Sequence, residues 1–309
     1  MRYVQLRAFH NVAVHGGFSR AAEELRLTQP AISDQVRKLE EEYDVLLFNR
    51  HKKQVTLTQQ GERLLEITRR LFDNESQALE LLSESRALRS GALRIMADSA
   101  HHLLHILARF RTRHPGVKIT VRAGNTETVL SALHAYEADI GVLGDRPDTR
   151  DIETVALNTT PIVAFVAKTD PLAARPALTI RDLADLPLVF REEGSKTRRK
   201  LEDAARSAGV ALSPAIVAEG REAVREIVAS GAGVGFVSAA EFGADARLVA
   251  LPIKGACDLS MEESLVCLRD RRGGKLVNAF FDCALSEAAA QPSAASSARR
   301  TRATVPSTS

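Results

Sequence analysis

The first set of residues able to do chemistry lies at the start of one short helix. Gln29, Pro30, Ser33, Asp34 and Arg37 fall on the polar side of a segment whose other side carries Ile32, Val36 and Leu39. Amide, hydroxyl and guanidinium groups at the N-terminal end of such a helix match what base edges offer in a DNA major groove. Gln29 suits adenine, Arg37 suits guanine or a phosphate, and Ser33 bonds either way. Asp34 can accept from a cytosine amino group or help repel wrong sites. A second set, Arg50, Lys52 and Lys53, forms a basic tip between the apolar runs 46–48 and 55–57. Such a tip holds backbone phosphates and sets register, not sequence.

A third set recurs after strands further along. Ser99, Ala100 and His101, then Asn125 and Thr126, then Ser195 and Thr197, then Glu219 and Arg221 each stand at the opening of a predicted helix. Unpaired N–H groups at helix N-termini favour an anion. Arg191, Arg198 and Arg221 add guanidinium groups for a phosphonate or carboxylate, and Glu192 or Glu219 can hold an ammonium. A small anion or a zwitterion such as an aminophosphonate fits that chemistry. Plain helix caps and surface Arg–Glu pairs explain the same residues about as well.

Other groupings carry less. His101 and His105 share a helix face with His102 between them, but no carboxylate completes a zinc-hydrolase signature, so no metal is expected. Ser195-Lys196 lacks an identified base or oxyanion partner, so no catalytic residue and no cofactor are expected. Gly231-Ala232-Gly233-Val234-Gly235 follows a helix and enters a strand, the wrong order for a dinucleotide loop, and reads as a turn. Cys257, Cys267 and Cys283 are odd in number and lack a C-x-x-C, which suits reduced thiols in the cytoplasm.

The elements that must position these groups fall into two blocks. The 309 residues are 45% hydrophobic and 26% charged, an ordinary globular composition. The length suits two domains or more. A formal net charge of +3 permits nucleic-acid binding without demanding it. No secretory leader and no membrane-length apolar run is seen, so a cytoplasmic location with no membrane partner is expected. Residues 4–15 carry Leu6, Phe9, Val12 and Ala13 at helical spacing, ended by Gly16-Gly17. Ser19 can cap a helix over 20–25. Residues 26–28 make a tight turn, and Thr28 with Pro30 starts a helix running to 43. That is a helix-turn-helix, and the basic hairpin behind it is a wing. The acids cluster at helix ends and the bases at the wing. A small helical domain with a charged hairpin and no DNA role is the rival reading. Thr58 then caps a long helix to about residue 90. Leu64, Leu65, Ile67, Leu71, Ala78, Leu79, Leu81 and Leu82 recur along it at roughly heptad spacing, which asks for a partner helix.

From Gly91 short β-branched runs alternate with amphipathic helices. Strands are predicted over 92–97, 117–122, 139–143, 162–167, 188–190, 215–218, 234–237 and 265–268. Helices are predicted over 101–113, 127–136, 196–208, 222–230 and 276–287. Two α/β lobes joined by two crossings place a ligand cleft between them. The expected architecture is an all-α winged helix-turn-helix over 1–61 and a linker or dimerisation helix over 62–90. A two-lobed α/β effector domain follows over 91–286. Its lobe I covers about 91–160 and 265–286, and its lobe II about 161–264. The Ala-, Ser-, Pro-, Thr- and Arg-rich tail over 287–309 is read as disordered.

The runs Leu6-Arg7-Ala8-Phe9, Gly17-Phe18-Ser19-Arg20-Ala21-Ala22, Leu27-Thr28-Gln29-Pro30-Ala31-Ile32-Ser33 and Gln35-Val36-Arg37-Lys38-Leu39-Glu40 closely resemble the LysR-type transcriptional regulators. So do Leu47-Phe48-Asn49-Arg50, Leu57-Thr58 and Gly61. The likeness implies a winged helix that binds double-stranded DNA and a dimerising linker helix. It also implies a periplasmic-binding-protein-like effector domain, a homodimer or homotetramer, and RNA polymerase as a further partner. That family commonly has Ser or Arg where Asp34 stands. Asp34-Gln35-Val36, residues 126–130, Arg191-Glu192-Glu193-Gly194-Ser195, Thr197-Arg198-Arg199, residues 219–225 and Val237-Ser238-Ala239-Ala240-Glu241 look like a subgroup associated with 2-aminoethylphosphonate catabolism. That likeness implies 2-aminoethylphosphonate as the effector.

Overall fold

The computed structural model describes residues 1–51, 54–82, 88–147, 149–255 and 259–290, and the chain divides after Leu82 into two compact units. In the first unit α1 (Tyr3–His15), α2 (Phe18–Leu25) and α3 (Gln29–Tyr43) enclose Phe9, Val12, Ala21, Ile32, Val36 and Leu39. The spacing of these residues puts them on one stripe of each helix, so their burial drives the packing. Helix α2 begins at Phe18 with Gly17 in the cap position, so Ser19 lies inside the first turn and does not cap it. The Phe18 ring packs edge-on against Phe48 at 5.7 Å, and burying that ring draws Phe18 into the helix. Arg26, at φ 54, turns the chain, and Thr28 takes the α3 cap position in extended conformation without a side-chain capping bond.

The wing is β1 (Phe48–His51) paired antiparallel with β2 (Gln54–Leu57), Phe48 opposite Leu57. The Arg50 side chain, Lys52 and Lys53 lie outside the described residues. Helix α4 (Gln59–Leu82) starts where the Thr58 hydroxyl accepts from the Gly61 amide at 3.1 Å and donates to the Leu46 carbonyl at 2.6 Å. Leu65 is buried against the helical core, while Ile67, Leu71, Leu79, Leu81 and Leu82 are exposed. Among the described residues no helix is long and apolar enough to cross a membrane.

The second unit is built on an eight-stranded sheet. Its members are β3 (Ala92–Ala97), β4 (Lys118–Ala123), β5 (Ile140–Leu143), β6 (Ile152–Ala167), β7 (Leu178–Thr179), β10 (Gly235–Ser238), β11 (Leu248–Lys254) and β12 (Ser260–Leu268). Their order is β4-β3-β5-β12-β6-β11-β7, with β10 also on β6. A separate parallel pair joins β8 (Leu188–Arg191) to β9 (Pro214–Ala218). The helices are α5 (Leu104–Arg113), α6 (Thr126–His134), α7 (Lys196–Ser207), α8 (Arg221–Ala229), α9 (Ala239–Phe242) and α10 (Lys275–Ala290). One core gathers Leu93, Ile95, Phe110, Phe280 and Phe281, and another gathers Ile162, Leu183, Phe190, Leu201 and Phe236. These are the cores of two lobes, and β6 and β12 pass between them.

That passage lengthens both strands. β6 starts at Ile152 and β12 at Ser260, well before the runs 162–167 and 265–268, because each strand pairs in one lobe and continues into the other. β7 and β11 were not expected; one is two residues long and the other contains Pro252, so neither shows a clean alternating run. The helix expected over 101–113 opens as a 3-10 turn, His101–Leu103, before α5. Helix α10 runs through Ala290, past the boundary set at 287, since Glu287-Ala288-Ala289-Ala290 are strong helix formers. The rest of the tail, 291–309, and Cys257 lie outside the described residues. The glycine-rich run before β10 is a turn. Gly233, at φ +148, passes so close to Pro187 that a Cβ would stand 2.1 Å from its carbonyl oxygen.

Candidate functional site

On the first unit, Gln29 and Pro30 are exposed at the start of α3 with Arg37, while Ser33 and Asp34 are half-buried. Asp34 binds cations of its own helix. Its Oδ1 accepts from Arg37 Nη2 at 2.7 Å, and its Oδ2 stands 2.7 Å from Lys38 Nζ. Arg37 Nη1 also reaches Glu41 Oε1 at 2.7 Å. Lys38 and then Arg37 hold the Asp34 carboxyl below its ordinary range. Asp34, offered as an acceptor for cytosine or a guard against wrong sites, is thus engaged by two cations of its own helix. Glu40 departs from the pattern of acids solvated at helix ends. It is buried, and its Oε1 accepts from the amides of Leu47 at 2.9 Å and Phe48 at 3.3 Å, tying α3 to the wing. Nothing in its spacing distinguishes it from Glu41 and Glu42; only the return of the wing does.

In the second unit a cleft of about 930 Å³ lies between the lobes. Ser99, Ala100, His101, Asn125, Arg191, Glu219 and Arg221 line it, with Asp98, Glu192, Arg225 and Glu241. An apolar wall of Phe165, Val224, Phe236, Val237, Phe242 and Leu248 faces them. Thr126, Ser195 and Thr197 do not reach it. Ser195 and Thr197 are buried under the start of α7, Thr197 turning its hydroxyl toward Met261 Sδ at 4.0 Å. Ser99 Oγ accepts from the His101 amide at 3.2 Å at the start of the 3-10 turn, and Asn125 caps α6, its Oδ1 accepting from the Thr128 amide at 3.0 Å.

The three arginines proposed to grip an anion already hold carboxylates or carbonyls. Arg191 Nη1 donates to Asp98 Oδ1 at 3.0 Å, and its Nη2 to Glu192 Oε1 at 2.6 Å. Arg198 donates to Glu202 at 2.8 Å and to the Arg191 carbonyl at 3.1 Å. Arg221 donates to the Asp98 carbonyl at 2.6 Å and stands 3.3 Å from Asp98 Oδ1 and 3.0 Å from Glu241 Oε2. Glu192, suggested as an ammonium holder, accepts instead from Arg191 and from the Gly220 amide at 3.0 Å. Glu219 remains exposed in the cleft.

Beneath this floor lies a group that the histidine spacing did not reveal. His101 and His105 are exposed, whereas the His102 ring is buried against Glu241 and Glu263. Its Nε2 is 3.1 Å from Glu241 Oε1 and 3.3 Å from Glu263 Oε1. Burial opposes charge on the ring, but the two carboxylates outweigh it and push its pKa up to about 9. Burial, with the Glu241 charge beside it, raises Glu263, while His102 and Arg221 overcome burial at Glu241 and lower it. Its three members lie far apart in sequence, so only the fold brings them together.

The chain matches two family models that together cover most of its length. "Bacterial regulatory helix-turn-helix protein, lysR family" covers residues 3–62, and "LysR substrate binding domain" covers 86–289. A relative from Allochromatium vinosum, named RuBisCO operon transcriptional regulator, is 34% identical over 92% of this chain and 96% of its own length. The HTH-type transcriptional regulator CfxR of Cupriavidus necator is 33% identical over 79% of this chain and 77% of its own. Among solved structures, a full-length OxyR variant from Pseudomonas aeruginosa shares the fold with a TM-score of 0.74 at 22% identity, covering 92% of this chain and 94% of that one. Full-length CbnR complexed with its target DNA does so with a TM-score of 0.68 at 20% identity, covering 93% of this chain and all of that one.

Proposed function

The chain belongs to the LysR family of bacterial transcriptional regulators, and from that premise we propose that a small ionised metabolite in the interlobe cleft sets how its winged helix holds DNA. It is a DNA-binding regulator with an effector-binding domain, not an enzyme. Gln29, Pro30, Ser33 and Arg37 are its base-facing set, with Asp34 orienting Arg37, and Arg50, Lys52 and Lys53 its phosphate contacts. Two identical helices meeting on Ile67, Leu71, Leu79, Leu81 and Leu82 form the dimer from which a tetramer is built. The protein works in the cytoplasm, where its DNA is, and meets RNA polymerase there.

The observation that carries the effector reading is the cleft itself: one apolar wall, one wall of arginines and carboxylates, and residues from both lobes. A ligand touching both lobes favours one angle between them and shifts the population toward it. Asp98 Oδ2 is buried without a hydrogen-bond partner among the described residues, which favours a ligand carrying a donor as well as an anionic group. Relatives named for the RuBisCO operon favour a RuBisCO-operon target over 2-aminoethylphosphonate catabolism. Calorimetric titration of the full-length protein with a sugar phosphate, 2-aminoethylphosphonate, an amino acid and benzoate tests this. Selective binding of one charged ligand, lost in Arg221→Ala, is expected. Equal binding of all four, or of none, contradicts a selective ionic cleft.

A further inference from the structure

We propose that His102, Glu241 and Glu263 form a divalent-metal site at the junction of the two lobes. The three side chains offer one imidazole nitrogen and two carboxylate oxygens, all within 4.8 Å of one another. Separations of 3.1 and 3.3 Å from His102 Nε2 to the two oxygens match a coordination shell. With metal bonds of about 2.0–2.2 Å, neighbouring ligand atoms stand roughly 3–3.5 Å apart. The donors therefore need little movement to close on an ion.

Burial and hydrogen bonding point the same way. The three side chains are no more than 2% exposed. Among the described residues the polar contact of Glu263 Oε1 is the His102 ring at 3.3 Å, which leaves this buried oxygen under-satisfied. A cation relieves that cost. Charge is compatible with this. Asp98, Glu192 and Glu241 pair with the guanidinium groups of Arg191 and Arg221, and Glu263 with the His102 ring. With a dication in place of the His102 proton, four positive charges face these four carboxylates instead of three.

The surroundings have the form that metal ligands require. His102 Nδ1 lies 3.4 Å from the Asn158 side-chain amide, whose Oδ1 has no partner among the described residues. Turning that amide over lets Oδ1 accept from Nδ1–H, which commits the Nε2 lone pair to a metal. Arg221 Nε, 3.0 Å from Glu241 Oε2, steadies that carboxylate and leaves Oε1 toward the site. Glu263 stands at a bulge of β12, between Glu263 and Ser264, and bulges re-aim side chains. One imidazole with two carboxylates suits Zn²⁺, Mn²⁺ or Co²⁺, not a soft monovalent ion.

The site takes His102 from the turn after β3 in one lobe, Glu241 from α9 in the other, and Glu263 from the strand that crosses between them. An ion there clamps the lobes from below, while Glu241 also lines the cleft above. The effector would then act on a hinge whose stiffness the metal sets.

Chelator-stripped full-length protein, dialysed against about 10 µM Co²⁺, tests the proposal. One Co²⁺ per chain with visible d–d absorption is expected, displaced by Zn²⁺. Glu263→Gln is expected to weaken binding by about tenfold or more. A variant carrying His101→Ala and His105→Ala, which removes the exposed histidines, is expected to bind as the parent does. Absence of stoichiometric Co²⁺ on the parent protein overturns the proposal before any variant is made. So does unchanged affinity in a folded Glu263→Gln, checked by circular dichroism.

Discussion

Replacing Asp98 by alanine removes the carboxylate on which the cleft floor is built. Its side chain is 1% exposed and its partner Arg191 7%. Breaking a buried pair from one side costs about 3–5 kcal/mol, because a charge is left without its partner. Here the loss is cushioned. Arg191 keeps Glu192 at 2.6 Å, and Arg221 keeps Glu241 and the carbonyl of residue 98, which alanine retains. The lower end, about 3 kcal/mol, is therefore expected. At roughly 2–4 °C per kcal/mol for a domain of this size, the melting temperature of the second unit falls by about 6–12 °C. Differential scanning calorimetry of the full-length protein reads this, with the first unit's transition as internal reference. Asp98→Asn, which keeps one acceptor oxygen, should lose about half as much. A fall below about 2 °C in Asp98→Ala would refute the reasoning, since the two guanidinium groups would then have found other partners at no cost.

Other consequences follow from single residues. His10 packs its ring on Phe72 at 4.6 Å, and burial first, then the Arg69 charge, lowers its pKa to about 4. The unfolded chain takes up a proton near pH 6.5 that the folded unit refuses until about 4. The first unit should thus lose about 1–2 kcal/mol as pH falls through that window, after allowance for solvent screening. His10→Phe is expected to flatten this dependence in acid-range melting curves; an unchanged slope counts against it. Asp34→Ala releases Arg37 and Lys38, so affinity for a scrambled duplex should rise about twofold to fivefold in fluorescence anisotropy. A fall would mean that Asp34 itself reads a base. Gly141→Ala puts a Cβ 2.7 Å from Val129 Cγ1 and 2.8 Å from Val266 Cγ2, a clash expected to cost about 1–3 kcal/mol in urea unfolding. No measurable loss would show that this core gives way easily.

The elements were legible where a single period governed them. Leu6, Phe9 and Val12, or Ile32, Val36 and Leu39, repeat at helical spacing, and each set is buried. Ala92–Ala97 reads as a strand for the same reason. Legibility failed where tertiary partners decide. Strand β6 passes through Asn158, Thr159, Thr160 and Pro161, a polar stretch with no strand signal, because β12 pairs with it there. Glu40 looks like its acidic neighbours until the wing returns to use it. The arginines of the cleft were visible as cations, but their carboxylate partners were not, since Asp98 and Arg191 meet from 93 positions apart. His102 was visible only as one of several histidines, since Glu241 and Glu263 lie about 140 and 160 residues away.

The most direct test of a regulator that reads DNA through its winged helix is a salt titration of duplex binding. The full-length protein would first select its preferred duplex from a random pool. Its affinity for that duplex and for a scrambled one would then be measured from 50 to 200 mM salt. Binding to the selected duplex is expected to be about 10³-fold tighter or more, falling steeply with salt as counterions are released. Equal affinity for both duplexes, or binding indifferent to salt, would contradict sequence-specific recognition by this face.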